Sequence, residues 1–181
     1  MHFAVPFTLT SPILGVRRAL VVGLVALIPD VDALLYIHRS ITHSLIFILA
    51  IAIPIVAVII LLKPKLASLA IASILSVLSH LILDFTQTYT PILYPLIQSS
   101  INLDIKGGVI IGSSINPYIK INVDMKPIDF TPFTSLDAPL FTSNGLALSI
   151  MLISIPILYT YKHKLTLKTS RLKNIYTASK R

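Results

Sequence analysis

Residues 42–84 read THSLIFILAIAIPIVAVIILLKPKLASLAIASILSVLSHLILD, and this stretch decides the fold. Leu45 to Leu62 carries no charge. At 1.5 Å per residue, that run with Thr42 and His43 makes a helix of about 30 Å, the thickness of a bilayer's hydrocarbon core. Lys63-Pro64-Lys65 is a tight basic turn, and Leu66 to Leu83 returns as a second apolar helix. Its serines, Ser68, Ser73, Ser76 and Ser79, are small enough for close helix packing. The segment therefore predicts an antiparallel pair of membrane spans whose polar residues, Thr42 with His43 and His80 with Asp84, gather at the free ends.

The rest of the chain agrees with a membrane setting. Of its 181 residues, 55% are hydrophobic and only 12% charged, with a mean hydropathy of +0.86, whereas a soluble domain carries about 25% charge. Asn144 to Tyr161 is a third span, with Pro156 removing one backbone hydrogen bond and predicting a bend. Phe3 to Val16 and Ala19 to Ile28 flank Arg17-Arg18, and neither piece reaches the length of about 20 residues a span needs. Two arrangements fit: a re-entrant helical hairpin bent at Gly15 to Arg18, or one span over Pro12 to Ile28 with snorkelling arginines. No basic segment precedes the first apolar stretch, so a secretory signal fits poorly.

Sidedness is predicted by the basic residues. Arg17, Arg18, Lys63, Lys65 and the seven Lys/Arg of 162–181 are 11 of the 15 in the chain, and alternating spans put them all on one side, taken as cytoplasmic. The formal charge of +8 is concentrated in that tail rather than interleaved with aromatics, so it points to membrane lipid and not to nucleic acid. Between Phe85 and Thr142 the chain is too polar to span. Tyr118 to Asp124 alternates as a half-buried strand, and Val109-Ile110-Ile111 could pair with it across Gly112 to Pro117, a small β-hairpin cap over the helix ends. The expected architecture is an all-α integral membrane protein of four to five apolar helices with a small extracytoplasmic β-containing insert. Residues 1–161 form the membrane domain, about 85–142 the insert, and 162–181 a basic cytoplasmic tail.

Three polar islands interrupt the apolar chain: Pro29-Asp30-Val31-Asp32, His38-Arg39-Ser40-Ile41-Thr42-His43-Ser44, and Ser79-His80 followed by Asp84. They hold three of the five histidines and three of the seven acidic residues, in a chain with no Glu and no Cys. Under the predicted topology all three meet at the outer membrane face. Each alone has an ordinary explanation: a helix stop at Pro29, an interfacial collar with Thr42 capping the next helix, and an i, i+4 His80–Asp84 pair. Together they do not, because an Asp near lipid costs roughly 2.5 kcal/mol or more unless paired, wet or bound to a cation. Without cysteine, any metal is held by nitrogen and oxygen, which suits zinc, manganese or iron(II). The candidate ligands are Asp30, Asp32, His38, His43, His80 and Asp84, a set large enough for two ions. Asp32, Arg39 and His43 are the candidates for catalytic roles, Asp32 orienting water or acting as general base and Arg39 clamping a phosphate oxygen.

These residues resemble the YdjM-like family of membrane-bound predicted metal-dependent hydrolases. The resemblance lies in the ordered set Pro29-Asp30-x-Asp32, His38-Arg39-x-x-Thr42-His43-Ser44, and His80-x-x-x-Asp84 with Thr88-Tyr89 and Pro95 downstream. His2 is similar to that family's N-terminal histidine and would join the ligands if the N-terminus folds back to the same face. Asp137-Ala138-Pro139-Leu140 resembles its late Asp-Pro element. Thr90 and Ser40 stand where the family usually has Gly. The resemblance covers about residues 1–160 and implies a multi-pass α-helical hydrolase with a metal site built from these His and Asp residues. The ligand set suits a divalent ion, zinc or manganese, and the interfacial location with Arg39 favours a phosphoester or a lipid-linked substrate. The alternative reading of the same residues is a non-enzymatic membrane protein with a structural metal site or an ion-transport role, although Leu45 to Leu62 offers no polar path for ions.

Overall fold

The computed structural model describes residues 1–37, 39–112, 114–135 and 142–178, with side chains described through Lys162. Five α-helices and one β-hairpin follow one another: α1 (Ala4–Leu14), α2 (Val16–Val25), α3 (Leu45–Leu62), α4 (Ala67–Phe85), β1 (Ser99–Ile111), β2 (Ile115–Pro127) and α5 (Ser143–Ala178). Among the described residues, three segments are long and apolar enough to cross a membrane: Leu45–Leu62, Pro64–Phe85 and Ser143–Lys162. The predicted pair over 42–84 is present, joined by a single 3-10 turn at Pro64–Leu66. Within α4 the serines fold onto their own helix, Ser76 Oγ donating to Ser73 O and Ser79 Oγ to Ser76 O, both at 2.7 Å. With no polar arm projecting there, Ala70 and Ser76 can sit buried.

At the N-terminus the chain forms two short helices bent at Gly15, not one continuous helix over Pro12 to Ile28. Gly15 breaks the chain between α1 and α2 with φ +78°, a left-handed conformation that favours glycine, and nothing lies within 4 Å of where its Cβ would be. The two short helices fold against each other, and Phe3 lies over Gly23, where a Cβ would come within 2.7 Å of the Phe3 ring. Thr8 Oγ1 donates to Leu152 O at 2.9 Å and ties α1 to α5. The consequence is positional: Met1 to Phe3 returns to the level at which α2 ends.

Two expectations need correction. The strands are longer and the turn tighter than predicted: β1 pairs antiparallel with β2 from Ser99↔Pro127 to Ile111↔Ile115, so only residues 112–114 connect them. The hairpin is also no cap over the helix ends. Its root is held, with Ser100 and Ile101 buried and Ile101 paired to Thr90, but most of its length projects with both faces exposed among the described residues. At the other end of the chain, α5 continues as one helix through the basic tail to Ala178.

Gly23→Val is expected to lower the melting temperature of detergent-purified protein, at a cost of about 1–3 kcal/mol, by forcing Phe3 away. Gly107→Val, where nothing lies within 4 Å of the added Cβ, should stay within about 0.5 kcal/mol of the parent. Equal melting shifts for the two would contradict this packing.

Candidate metal centre

After α2 the chain enters a 3-10 helix, Ile28–Leu35, opened by Pro29, whose fixed φ suits a first helical position. Asp30 and Asp32 lie on it. It ends at Tyr36, in the left-handed region at φ +59°. A second 3-10 turn, Ile41–His43, carries His43 to the start of α3. The cap of α3 is Ser44 rather than the expected Thr42: Ser44 Oγ accepts from Phe47 N at 3.2 Å and donates to Tyr94 O. Thr42 is thereby released for another task, its hydroxyl lying 2.8 Å from Asp32 Oδ2 and 3.0 Å from Pro29 O. From α4, His80 and Asp84 present one face at i, i+4.

These elements bring four ligand atoms to one point. His43 Nε2 lies 3.3 Å from Asp84 Oδ2 and 3.6 Å from Asp30 Oδ1. His80 Nε2 lies 3.4 Å from Asp30 Oδ1 and 3.6 Å from Asp84 Oδ2. The two Nε2 atoms are 3.4 Å apart. All four residues offer atoms within 4.8 Å of one another, and they form the one such group of three or more among the described residues. The edge of a tetrahedron around an ion with bonds of about 2.0–2.2 Å is about 3.3–3.6 Å; five of the six distances among these atoms lie in that range, and the sixth, between the Asp30 and Asp84 oxygens, is within 4.8 Å. His43 and His80 are fully buried and Asp84 nearly so, while the Asp30 side chain is 37% exposed, which makes Asp30 the open side of the group.

The other predicted residues fall around this core. Asp32 is buried beside the opposite ring nitrogen of His43, its Oδ2 3.2 Å from Nδ1, and the same oxygen accepts from Ser40 N at 2.7 Å. That is the position from which a carboxylate orients a metal-binding histidine rather than binding the ion itself. His2 is brought in by the fold of α1: its Nε2 is 3.4 Å from Asp84 Oδ1 and its ring stacks 4.0 Å from that of His80. Asp84 thus faces the four-atom group with one oxygen and His2 with the other. Arg39, at φ +58°, directs Nε to Asp84 Oδ2 at 3.4 Å and its terminal nitrogen to Thr88 Oγ1 at 3.3 Å. His38 and Asp137 lie outside the described residues. Thr42 and Thr88 had no role at the centre in the sequence reading, and the available signal was position: each is next to, or one helical turn from, a ligand.

Electrostatics follow the geometry. Burial alone would lower the His43 pKa, but the carboxylates of Asp30, Asp32 and Asp84 outweigh it and raise it to about 10. Asp30, although partly desolvated, is held well below the ordinary carboxylate range by hydrogen bonds from His43 and His80. Burial, with His80 nearby, lowers His2 to about 4, so its imidazole is neutral at pH 7.

A family model described as the YdjM inner membrane protein matches residues 2–162. The chain belongs to that family. No curated protein and no solved structure gives a significant match. The match spans all four residues of the centre together with His2, Asp32 and Arg39, as well as the three candidate spans. At the two positions where the resemblance implies glycine, Ser40 has φ −83°, which any residue adopts, and Thr90 is fully buried with its backbone paired to Ile101.

Because the surrounding carboxylates favour a proton on His43 in the metal-free protein, metal binding at neutral pH must displace it. Apparent affinity for zinc or manganese should therefore rise with pH above neutrality. Calorimetry in buffers of different ionisation enthalpy should detect release of about one proton per ion at pH 7. Binding without proton release would contradict the arrangement.

Proposed function

We propose that this protein is a metal-dependent hydrolase working at the membrane surface on a phosphoester or lipid-linked substrate. The observation that carries the reading is the convergence of His43 Nε2, His80 Nε2, Asp30 Oδ1 and Asp84 Oδ2 on one point at the ends of α2, α3 and α4. Zinc or manganese is the ion that suits this nitrogen and oxygen set. When bound, such an ion supplies Lewis acidity and a water acidic enough to act as nucleophile near neutral pH, which a chain without cysteine otherwise lacks. Asp32 fixes the ring orientation of His43. His43, His80 and Asp84 would hold the ion and leave one position for water, and Asp30, the exposed member, stands beside that position, where water and substrate enter. Arg39, 28% exposed, has guanidinium donors to offer an anionic oxygen beside Asp84.

A cavity of about 290 Å³ supports the lipid-linked choice. It lies between α3 and α4 among apolar side chains including Ile51, Ile55, Ala70 and Ile74, and it reaches Pro29 and Thr42, the neighbours of the ligands Asp30 and His43. A hydrocarbon chain lying there would place its head group at the centre. The basic asymmetry supports an outer location for the centre and hairpin, with Lys63, Lys65 and the tail after Tyr161 cytoplasmic. The short hairpin of α1 and α2 then enters from the outer face, alongside the three full spans, so that Arg17 and Arg18 at its bend drop out of the cytoplasmic set and Lys63, Lys65 and the seven Lys/Arg of 162–181 carry the asymmetry.

Hydrolysis of phosphatidic acid in vesicles, or of p-nitrophenyl phosphate in detergent, should be abolished by a chelator and restored by zinc or manganese. His80→Ala should abolish activity together with metal content. Arg39→Lys should keep the metal and lower turnover of the anionic substrate, because the charge remains and the planar fork is lost. Full hydrolysis by a His80→Ala, Asp84→Ala double variant would overturn the reading.

A further inference from the structure

The β-hairpin leaves a surface that the centre does not explain. In its register, cross-strand partners share a face: Ile101↔Met125, Leu103↔Val123, Ile105↔Ile121 and onward to Ile111↔Ile115. Every odd-numbered residue from Ile101 to Ile111 and from Ile115 to Met125 is apolar, counting Gly107 and Pro117. All five charged residues of the two strands, Asp104, Lys106, Lys120, Asp124 and Lys126, are even-numbered and lie on the opposite face. The polar face has its own internal contacts: Lys106 Nζ meets Asp104 Oδ2 at 2.6 Å, and Tyr118 lies over Gly108. Beyond the buried Ile101 at its root, the apolar face is largely uncovered among the described residues, with Ile105, Ile119, Ile121 and Val123 each more than half exposed.

Such a face does not stay in water. An isolated two-stranded hairpin is marginal there, and contiguous apolar patches on monomers seldom exceed a few hundred Å². Two strands of thirteen residues, at about 3.3 Å per residue and 4.8 Å apart, make a face of roughly 43 by 10 Å, or about 400 Å². That is about half of the roughly 800 Å² per partner that a stable protein interface buries. A bilayer asks for no such area, because the hairpin is already tethered to it. The hairpin's root pairs with Thr90, five residues beyond the last residue of α4, so the apolar face starts where the lipid-facing surface of α3 and α4 ends.

We propose that the β-hairpin is an in-plane membrane anchor: its odd-numbered face rests in the headgroup boundary of the leaflet next to the metal centre, with its even-numbered face turned to water. The open strand edges remain compatible with this depth, since headgroups and water can satisfy their N–H and C=O groups, as the hydrocarbon core could not. The hairpin then roofs no part of the centre. It lies beside it along the membrane and leaves the approach past Asp30 open.

The chain has no cysteine, so single cysteines can be placed on adjacent residues of opposite face: Ile119→Cys against Lys120→Cys on β2, and Ile105→Cys against Lys106→Cys on β1. Each carries an environment-sensitive NBD label, in full-length protein reconstituted into phosphatidylcholine–phosphatidylglycerol vesicles. The labels at 105 and 119 should be blue-shifted and quenched severalfold more by shallow nitroxide-bearing lipid than those at 106 and 120, which aqueous iodide should quench instead. Two pairs on separate strands guard against one misfolded variant. Iodide quenching of all four positions alike would overturn the proposal. So would shielding of 105 and 119 from both quenchers, which with disulfide cross-linking of Ile119→Cys between copies would assign the face to a second copy of the chain.

Discussion

Two histidines aim the same ring nitrogen at one point between two carboxylates, and the surrounding fold is arranged to permit it. With His43 Nε2 and His80 Nε2 3.4 Å apart and Asp30 and Asp84 oxygens equally near, the carboxylate charge has to be balanced. Without an ion, a proton on His43 and the Arg39 guanidinium on Asp84 carry the balancing positive charge. A divalent cation supplies that charge at the point of convergence itself. The convergence also constrains the backbone: a 3-10 segment to set Asp30 and Asp32, left-handed residues at Tyr36 and Arg39 to turn back, and a cap displaced to Ser44 so that Thr42 can face Asp32.

The short hairpin of α1 and α2 has meaning in that frame. Neither helix is long enough to span, yet together they give α4 a neighbour on the side away from α3 and return His2 to the centre. Glycine makes this fit possible twice, by allowing the bend at residue 15 and the close approach of Phe3 at residue 23. The centre is therefore walled by protein on the α1, α2 and α4 sides and open beside Asp30.

The long apolar helices were legible in the sequence because 18 apolar residues in a row have one economical environment, and the meeting of the three islands was legible because consecutive helices joined by a tight turn run antiparallel. What the sequence did not reveal depended on turns. Asp32 is two residues from Asp30, and only the 3-10 geometry tells that one faces the ligand atoms while the other reaches the far side of His43. The reading left Thr42 as a cap, since a hydroxyl before an apolar run usually is one, and Ser44 offered the same signal two residues later. The choice between a bent hairpin and one span at the N-terminus turned on the conformation of Gly15. In the hairpin, Tyr118 to Asp124 was recognised as a strand, but Gly107-Gly108 masked the same alternation in β1, which is visible once odd positions are read through to Ile111.

Metal ligation is the account's central claim, and X-ray absorption at the zinc edge of the zinc-loaded, detergent-purified protein tests it most directly. The account predicts a first shell of nitrogen and oxygen at about 2.0–2.1 Å, with the outer-shell signature of two imidazoles that falls to one in His43→Ala. A shell of oxygen alone, without imidazole scattering and unchanged in that variant, would contradict it.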